Sequence, residues 1–131
     1  MVESAPYVAI VDDELQVRRA LDRLLKAAGL EAQAFGSGAA FLRGAALRPP
    51  DCLVLDLHIP GMSGLELLRE LKASGRRIPT VVITADDTAE TRRRCEAEGA
   101  SAYLRKPLDD RLLLNAISSA IAQARAAERK A

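Results

Sequence analysis

The chain has 131 residues, with 19 Lys and Arg against 18 Asp and Glu and a net charge of +1. That length suits one domain built on one hydrophobic core, and the balanced charge gives no overall attraction to nucleic acid or to an anionic membrane. Cys52 and Cys95 lie far apart without CxxC or Cys/His spacing, so neither a zinc site nor a disulfide framework organises the fold, and both read as buried free thiols.

In chain order, YVAIV (7–11) is short, apolar and β-branched and reads as a strand. Val17, Leu21, Leu24, Leu25 and Ala28 follow at helical spacing, and Gly29 ends that helix. EAQAF (31–35) alternates polar and apolar residues, as an edge strand with one exposed face does, and Ser37 caps a short helix through about Leu47. CLVLDL (52–57) is apolar on both faces, the pattern of a central strand in a parallel sheet. Ser63 and Glu66 form an S-x-x-E capping box before a helix carrying Leu65, Leu68 and Leu71. IPTVVITA (78–85) is another strand buried on both faces, and DDTAETRRRCEAEGA gives a polar helix closed by Gly99. AYLRK (102–106) is a fifth strand. Beyond Pro107, the residues Leu113, Ile117, Ala120, Ile121 and Ala124 mark one stripe of a last helix.

Five strands, each followed by a helix, predict a doubly wound α/β domain with a parallel sheet covered on both faces. No repeat or change of composition divides the chain. We therefore take 1–131 as a single domain with its core from about 6 to 124, and 125–131 as a helix end or the start of a linker. The N-terminal MVESAPY lacks a basic segment followed by an apolar run, and no stretch approaches the roughly 20 apolar residues of a membrane span. A cytoplasmic location is the expectation.

In open α/β sheets the ligand crevice lies outside the carboxyl ends of the strands. The first strand ends in Asp12 and Asp13, the third in Asp56, the fourth in Thr84 and the fifth in Lys106. Burying an unpaired carboxylate costs several kcal/mol, and three brought together repel one another unless cations join them. Lys106 supplies one charge, and a hard divalent ion supplies the rest. Carboxylates and carbonyls without a His or Cys cluster favour Mg2+, which accepts few protein ligands and keeps several waters. A carboxylate beside Mg2+, a lysine and a hydroxyl is equipped to attack phosphorus and form an aspartyl-phosphate.

Asp12-Asp13, Asp56 in LVLDLHIPGMSG, Thr84 in VVITA, and Tyr103 with Lys106-Pro107 in AYLRKP together resemble the receiver domain of two-component response regulators, from about Tyr7 to about Ala124. The resemblance implies a flavodoxin-like fold with strand order 2-1-3-4-5. It also implies Asp56 as phosphoacceptor for the phosphohistidine of a histidine kinase or histidine phosphotransfer protein. Asp13 and Asp56 would ligate Mg2+ directly, Asp12 largely through water, and His58 through its backbone carbonyl. Lys106 would pair with the phosphoryl group, and the Lys106-Pro107 bond would be cis. Thr84 and Tyr103 would switch the face made by the fourth helix, fifth strand and fifth helix. Such a domain accepts a phosphoryl group and slowly loses it, without turning over a substrate as an enzyme does. HIPGMSGLELLRELK resembles receivers of the nitrogen-fixation-regulator type, which act on an output domain; this chain carries no helix-turn-helix segment for binding nucleic acid itself.

Taken alone, Asp12 and Asp13 read as helix caps, Thr84 as a strand residue, Lys106 as an edge lysine and Tyr103 as a rim aromatic. Their shared position at the strand ends favours the site. His58 reads as a solvated loop residue, or with Asp86 as a pair flanking the mouth that tunes attack of water on the phosphoryl group. Arg92, Arg93 and Arg94 form either a solvated helix face or an output contact. A haloacid-dehalogenase-like phosphatase would need a second aspartate where His58 stands, and a nucleotide-binding domain would need a glycine-rich loop after the first strand. A receiver that only binds partners would lack one of the acceptor, metal or lysine positions, and none is missing.

Overall fold

The computed structural model describes residues 5 to 130; the first four residues and Ala131, which the sequence reading includes in the domain, lie outside that range. Strands and helices alternate as β1 (Tyr7–Val11), α1 (Leu15–Ala27), β2 (Glu31–Phe35), α2 (Gly38–Leu47), β3 (Cys52–Asp56), α3 (Gly64–Ala73), β4 (Thr80–Thr84), α4 (Ala89–Ala97), β5 (Ala102–Arg105) and α5 (Asp110–Lys130). The strands pair in parallel in the order β2-β1-β3-β4-β5.

The side-chain alternation of the central strands divides the core in two. Val8, Ile10, Val54, Val81 and Ile83 point to one face, where they meet Leu21 and Leu25 of α1 and Leu113 and Ile117 of α5. Ala9, Val11, Leu53, Leu55 and Val82 point to the other and pack on Phe41 of α2, Leu67 and Leu71 of α3 and Cys95 of α4. Each such Leu, Ile or Phe contributes about 1.5–3 kcal/mol through burial, which is why β1, β3 and β4 read as unbroken apolar runs. β2 is an edge strand with exposed Glu31 and Gln33. Both cysteines are buried thiols, and burial pushes the Cys52 thiol up to about 12.

Several boundaries are tighter than the sequence predicts. The fourth strand begins at Thr80 rather than 78, because Pro79 has no N–H to donate and contributes only its carbonyl, which accepts from Leu53. The capping box at α3 is half formed: Ser63 Oγ accepts from the Glu66 N–H at 3.2 Å, and among the described residues the Glu66 carboxylate returns no bond. Thr88 caps α4 in the same way, accepting from the Thr91 N–H at 3.1 Å. No described helix is long and apolar enough to cross a membrane.

Candidate functional site

Strand register builds the site. Val11 pairs with Leu55 across β1 and β3, so one step further Asp12 stands beside Asp56 at the carboxyl edge, where the order of the strands reverses. One carboxylate oxygen from each of Asp12, Asp13 and Asp56 lies within 4.8 Å of the others. Asp12 and Asp56 are buried, whereas Asp13 is exposed. From the end of β5, Lys106 reaches back with Nζ 3.0 Å from Asp12 Oδ2 and 3.4 Å from Asp56 Oδ2. The peptide bond that follows it, to Pro107, is cis.

Each group is held. The carboxylate of Asp12 accepts from the Glu14 N–H at 2.9 Å, which closes the turn into α1. The second oxygen of Asp56 accepts from the His58 N–H at 3.1 Å. α3 approaches this loop closely at Gly64: a Cβ there would lie 2.7 Å from the Asp56 carbonyl oxygen and from Leu57 Cα, so glycine is required. Burial raises the pKa of Asp56, the His58 N–H opposes that, and the Asp12 charge adds to it. Burial lowers the pKa of Lys106, but the bond and charge of Asp12 together with Asp56 outweigh it and the net shift is upward. The ammonium thus stays charged between two carboxylates.

Among the described residues the three carboxylates meet a single lysine, so the cluster is short of positive charge. Its donors are all oxygens at the edge of solvent, which fits a hard divalent ion with retained waters and does not fit zinc or another thiophilic metal.

The remaining sequence-predicted residues spread outward from that centre. Thr84 is buried and its Oγ1 accepts from the Asp86 N–H at 3.1 Å, leaving its own proton to donate. His58 Nε2 and Asp86 Oδ2 face each other at 3.9 Å, both exposed, across the mouth. The Tyr103 hydroxyl is buried with no hydrogen-bond partner among the described residues; Asp87 lies near enough to raise the phenol's pKa after burial has done so, to about 12, but not in bonding geometry.

The three arginines do not form one face. Arg92 stacks on the Tyr103 ring at 4.7 Å and pairs with Asp87 at 3.5 Å, Arg94 pairs with Glu90 at 2.6 Å, and Arg93 is exposed. Sequence reasoning missed two participants, Asp87 and Arg18. The Arg18 Nη1 donates to the Asp12 carbonyl at 2.8 Å, and the only hint in the sequence was its place one helical turn past the aspartates.

Two cavities frame the choice of site. One, about 580 Å3, lies at the amino end of the sheet between α3, α5 and the starts of β4 and β5, and among the described residues no carboxylate cluster lines it. A smaller one of about 460 Å3 runs from Lys106 and Pro107 along Val17 and Leu21 of α1 and shares Lys106 with the carboxylate cluster, though none of Asp12, Asp13 and Asp56 lines it. Chemistry favours the carboxylate pocket over the larger cavity.

The family model of the response regulator receiver domain matches residues 8–118. The chain is 36% identical over 121 residues to the transcriptional regulatory protein FixJ of Azorhizobium caulinodans, covering 92% of this chain and 57% of that protein. It is 37% identical over 102 residues to the DNA-binding transcriptional regulator NtrC of Escherichia coli K12, covering 78% of this chain and 22% of that protein. It thus spans about half the length of the first and less of the second. A crystal structure of FixJ-N superposes with a TM-score of 0.84 at 35% identity, covering 91% of this chain and 95% of that one.

Proposed function

The chain belongs to the response regulator receiver family, and from that premise we propose that Asp56 accepts a phosphoryl group from the phosphohistidine of a histidine kinase or a histidine phosphotransfer protein. The observation that carries this reading is the convergence of Asp12, Asp13 and Asp56 around a single lysine, an arrangement short of positive charge. An Asp56 carboxylate oxygen attacks phosphorus, the N–P bond breaks, and its electron pair stays on the imidazole of the partner. Asp13, Asp56 and the carbonyl of His58, with Asp12 largely through water, would hold Mg2+, and the ion would supply positive charge for the phosphoryl oxygens.

Lys106 already sits on the acceptor and needs only to exchange carboxylate oxygens for a phosphoryl oxygen. Thr84 donates its free hydroxyl proton to another. That shift draws the Thr84–Asp86 turn toward the phosphoryl group and frees room for Tyr103, so that the face of α4, β5 and α5 changes shape. His58 and Asp86, facing each other across the mouth, set how fast water reaches the aspartyl-phosphate. The domain acts as a consumed acceptor rather than as an enzyme. It works in the cytoplasm, read out by a downstream output domain or partner protein without binding nucleic acid or membrane itself.

Intact-mass measurement after incubation with acetyl phosphate and Mg2+ tests the reading. One phosphoryl adduct on the wild type, absent in Asp56→Asn and in a chelated sample, is the expected result. No adduct, with beryllofluoride leaving the tyrosine fluorescence unchanged, would overturn it in favour of a binding module. If His58→Ala and Asp86→Ala both left the adduct's lifetime unaltered, the tuning role would be wrong.

A further inference from the structure

Arg18 lies at the start of α1, where its N–H closes the first helical bond to the Glu14 carbonyl. Its side chain does not extend into solvent. Nη1 donates to the Asp12 carbonyl oxygen at 2.8 Å, and the guanidinium lies across Gly36, just past the end of β2. A Cβ on Gly36 would stand 3.3 Å from Nη1 and 3.6 Å from Cζ, so the slot exists because residue 36 has no side chain. Among the described residues no carboxylate lies within ion-pair distance of Arg18.

The bonded oxygen belongs to the peptide that joins Asp12 to Asp13. On the other side of Asp12 the amide N–H donates to the Phe35 carbonyl at 3.2 Å. β2 therefore fixes the peptide entering Asp12 and Arg18 fixes the one leaving it. Asp12 is held further by Glu14 and Lys106. Asp13 is exposed, and among the described residues its carboxylate makes no hydrogen bond or ion pair, so its direction depends on the peptide plane from which it departs.

We propose that Arg18 is a positioning residue: it locks the Asp12–Asp13 peptide so that the Asp13 carboxylate meets those of Asp12 and Asp56 around a divalent cation. This rests on the cation reading given under the proposed function. A group that orients a metal ligand without touching the metal typically changes affinity by roughly 10–100-fold when removed.

Calorimetric titration with Mg2+ alone, without a phosphodonor, separates this role from its alternative, because the two predict opposite signs. Arg18 is a cation beside an anionic pocket, and a guanidinium that merely happened to lie there would repel Mg2+, so its removal would tighten binding. A positioning guanidinium predicts that Arg18→Ala weakens binding about tenfold. Arg18→Lys, which keeps charge and a donor, should fall between that variant and the wild type. Gly36→Ala crowds the guanidinium from the other side without altering any charge, and should weaken binding by less than Arg18→Ala, since the end of a flexible side chain gives way. Mg2+-free thermal unfolding of each variant completes the set, because a purely structural role would lower that midpoint and leave the affinity of the folded protein intact. Unchanged or tighter binding in Arg18→Ala beside a wild type that binds Mg2+ would overturn the inference alone. A wild type that does not bind Mg2+ would overturn the cation reading and the inference with it.

Discussion

The two ends of the same sheet treat polar groups in opposite ways. At the amino end, the Tyr7 N–H donates to Asp51 Oδ2 at 2.7 Å while the Asp51 N–H donates back to the Tyr7 carbonyl at 2.7 Å. The Tyr7 hydroxyl donates to Gln33, and Arg48 covers the Tyr7 ring at 4.1 Å while pairing with Glu31 at 2.6 Å. Cation meets anion and donor meets acceptor. At the carboxyl end, Asp12 and Asp56 share one ammonium, and the Asp13 carboxylate joins them with no cation of its own among the described residues. Both ends cap the same buried strands, so packing does not explain the contrast. The amino end is complete in itself, and the carboxyl end is complete only with added positive charge, which is the condition a site for a cation and a phosphoryl group requires.

The largest test of this contrast is Lys106→Ala. Removing one member of a fully buried pair costs roughly 3–5 kcal/mol; the Lys106 side chain keeps 18% of its exposure, so water screens part of the loss and about 2 kcal/mol is expected. Because the defect is missing positive charge, Mg2+ should restore much of it, measured as the urea midpoint with and without the ion. The matching change at the amino end is Asp51→Ala, which removes the acceptor of the Tyr7 N–H and should cost about 1.5 kcal/mol. There Mg2+ should restore nothing. Recovery of both variants by Mg2+, or of neither, would erase the distinction between the two ends.

How much of this was legible beforehand follows from the range of each interaction. The strands β1, β3 and β4 were readable because burial on both faces leaves no polar position inside them. Asp12, Asp56 and Thr84 were readable as site candidates because each is the first polar residue after such a run, and strand ends are where a parallel sheet collects its functional groups. Arg18 was not, since its role depends on how far a long side chain reaches and on a glycine eighteen residues away. Nor was the grouping of Asp87, Arg92 and Tyr103, which joins a turn, a helix and an edge strand and has no periodicity to betray it. The run Arg92–Arg94 looked like one patch in the sequence. A helix turns about 100° per residue, which sends consecutive arginines to different partners.

The smallest expected effect is a gain. Asp56 is buried, and burial raises its pKa above the ordinary 3.8, so the native state favours the neutral carboxyl more than the unfolded chain does. Well below pH 3.8 the group is protonated in both states and its identity hardly matters. As pH rises through the elevated native value, the folded protein must ionise a carboxyl that the unfolded chain ionises more easily, and stability is lost. Asp56→Asn escapes that loss: the amide oxygen still accepts from the His58 N–H, and Lys106 keeps Asp12 at 3.0 Å. In the absence of Mg2+ the variant should therefore be more stable than the wild type at pH 7, with the advantage shrinking toward zero as pH falls below the ordinary value of 3.8. Adding Mg2+ at pH 7 should narrow or reverse the order, because the ion stabilises only a native state that can bind it. Thermal unfolding of both proteins across that range decides the point. An advantage independent of pH would mean that residue 56 acts through shape, and a wild type more stable than Asp56→Asn without Mg2+ would mean that Lys106 alone already balances the pocket.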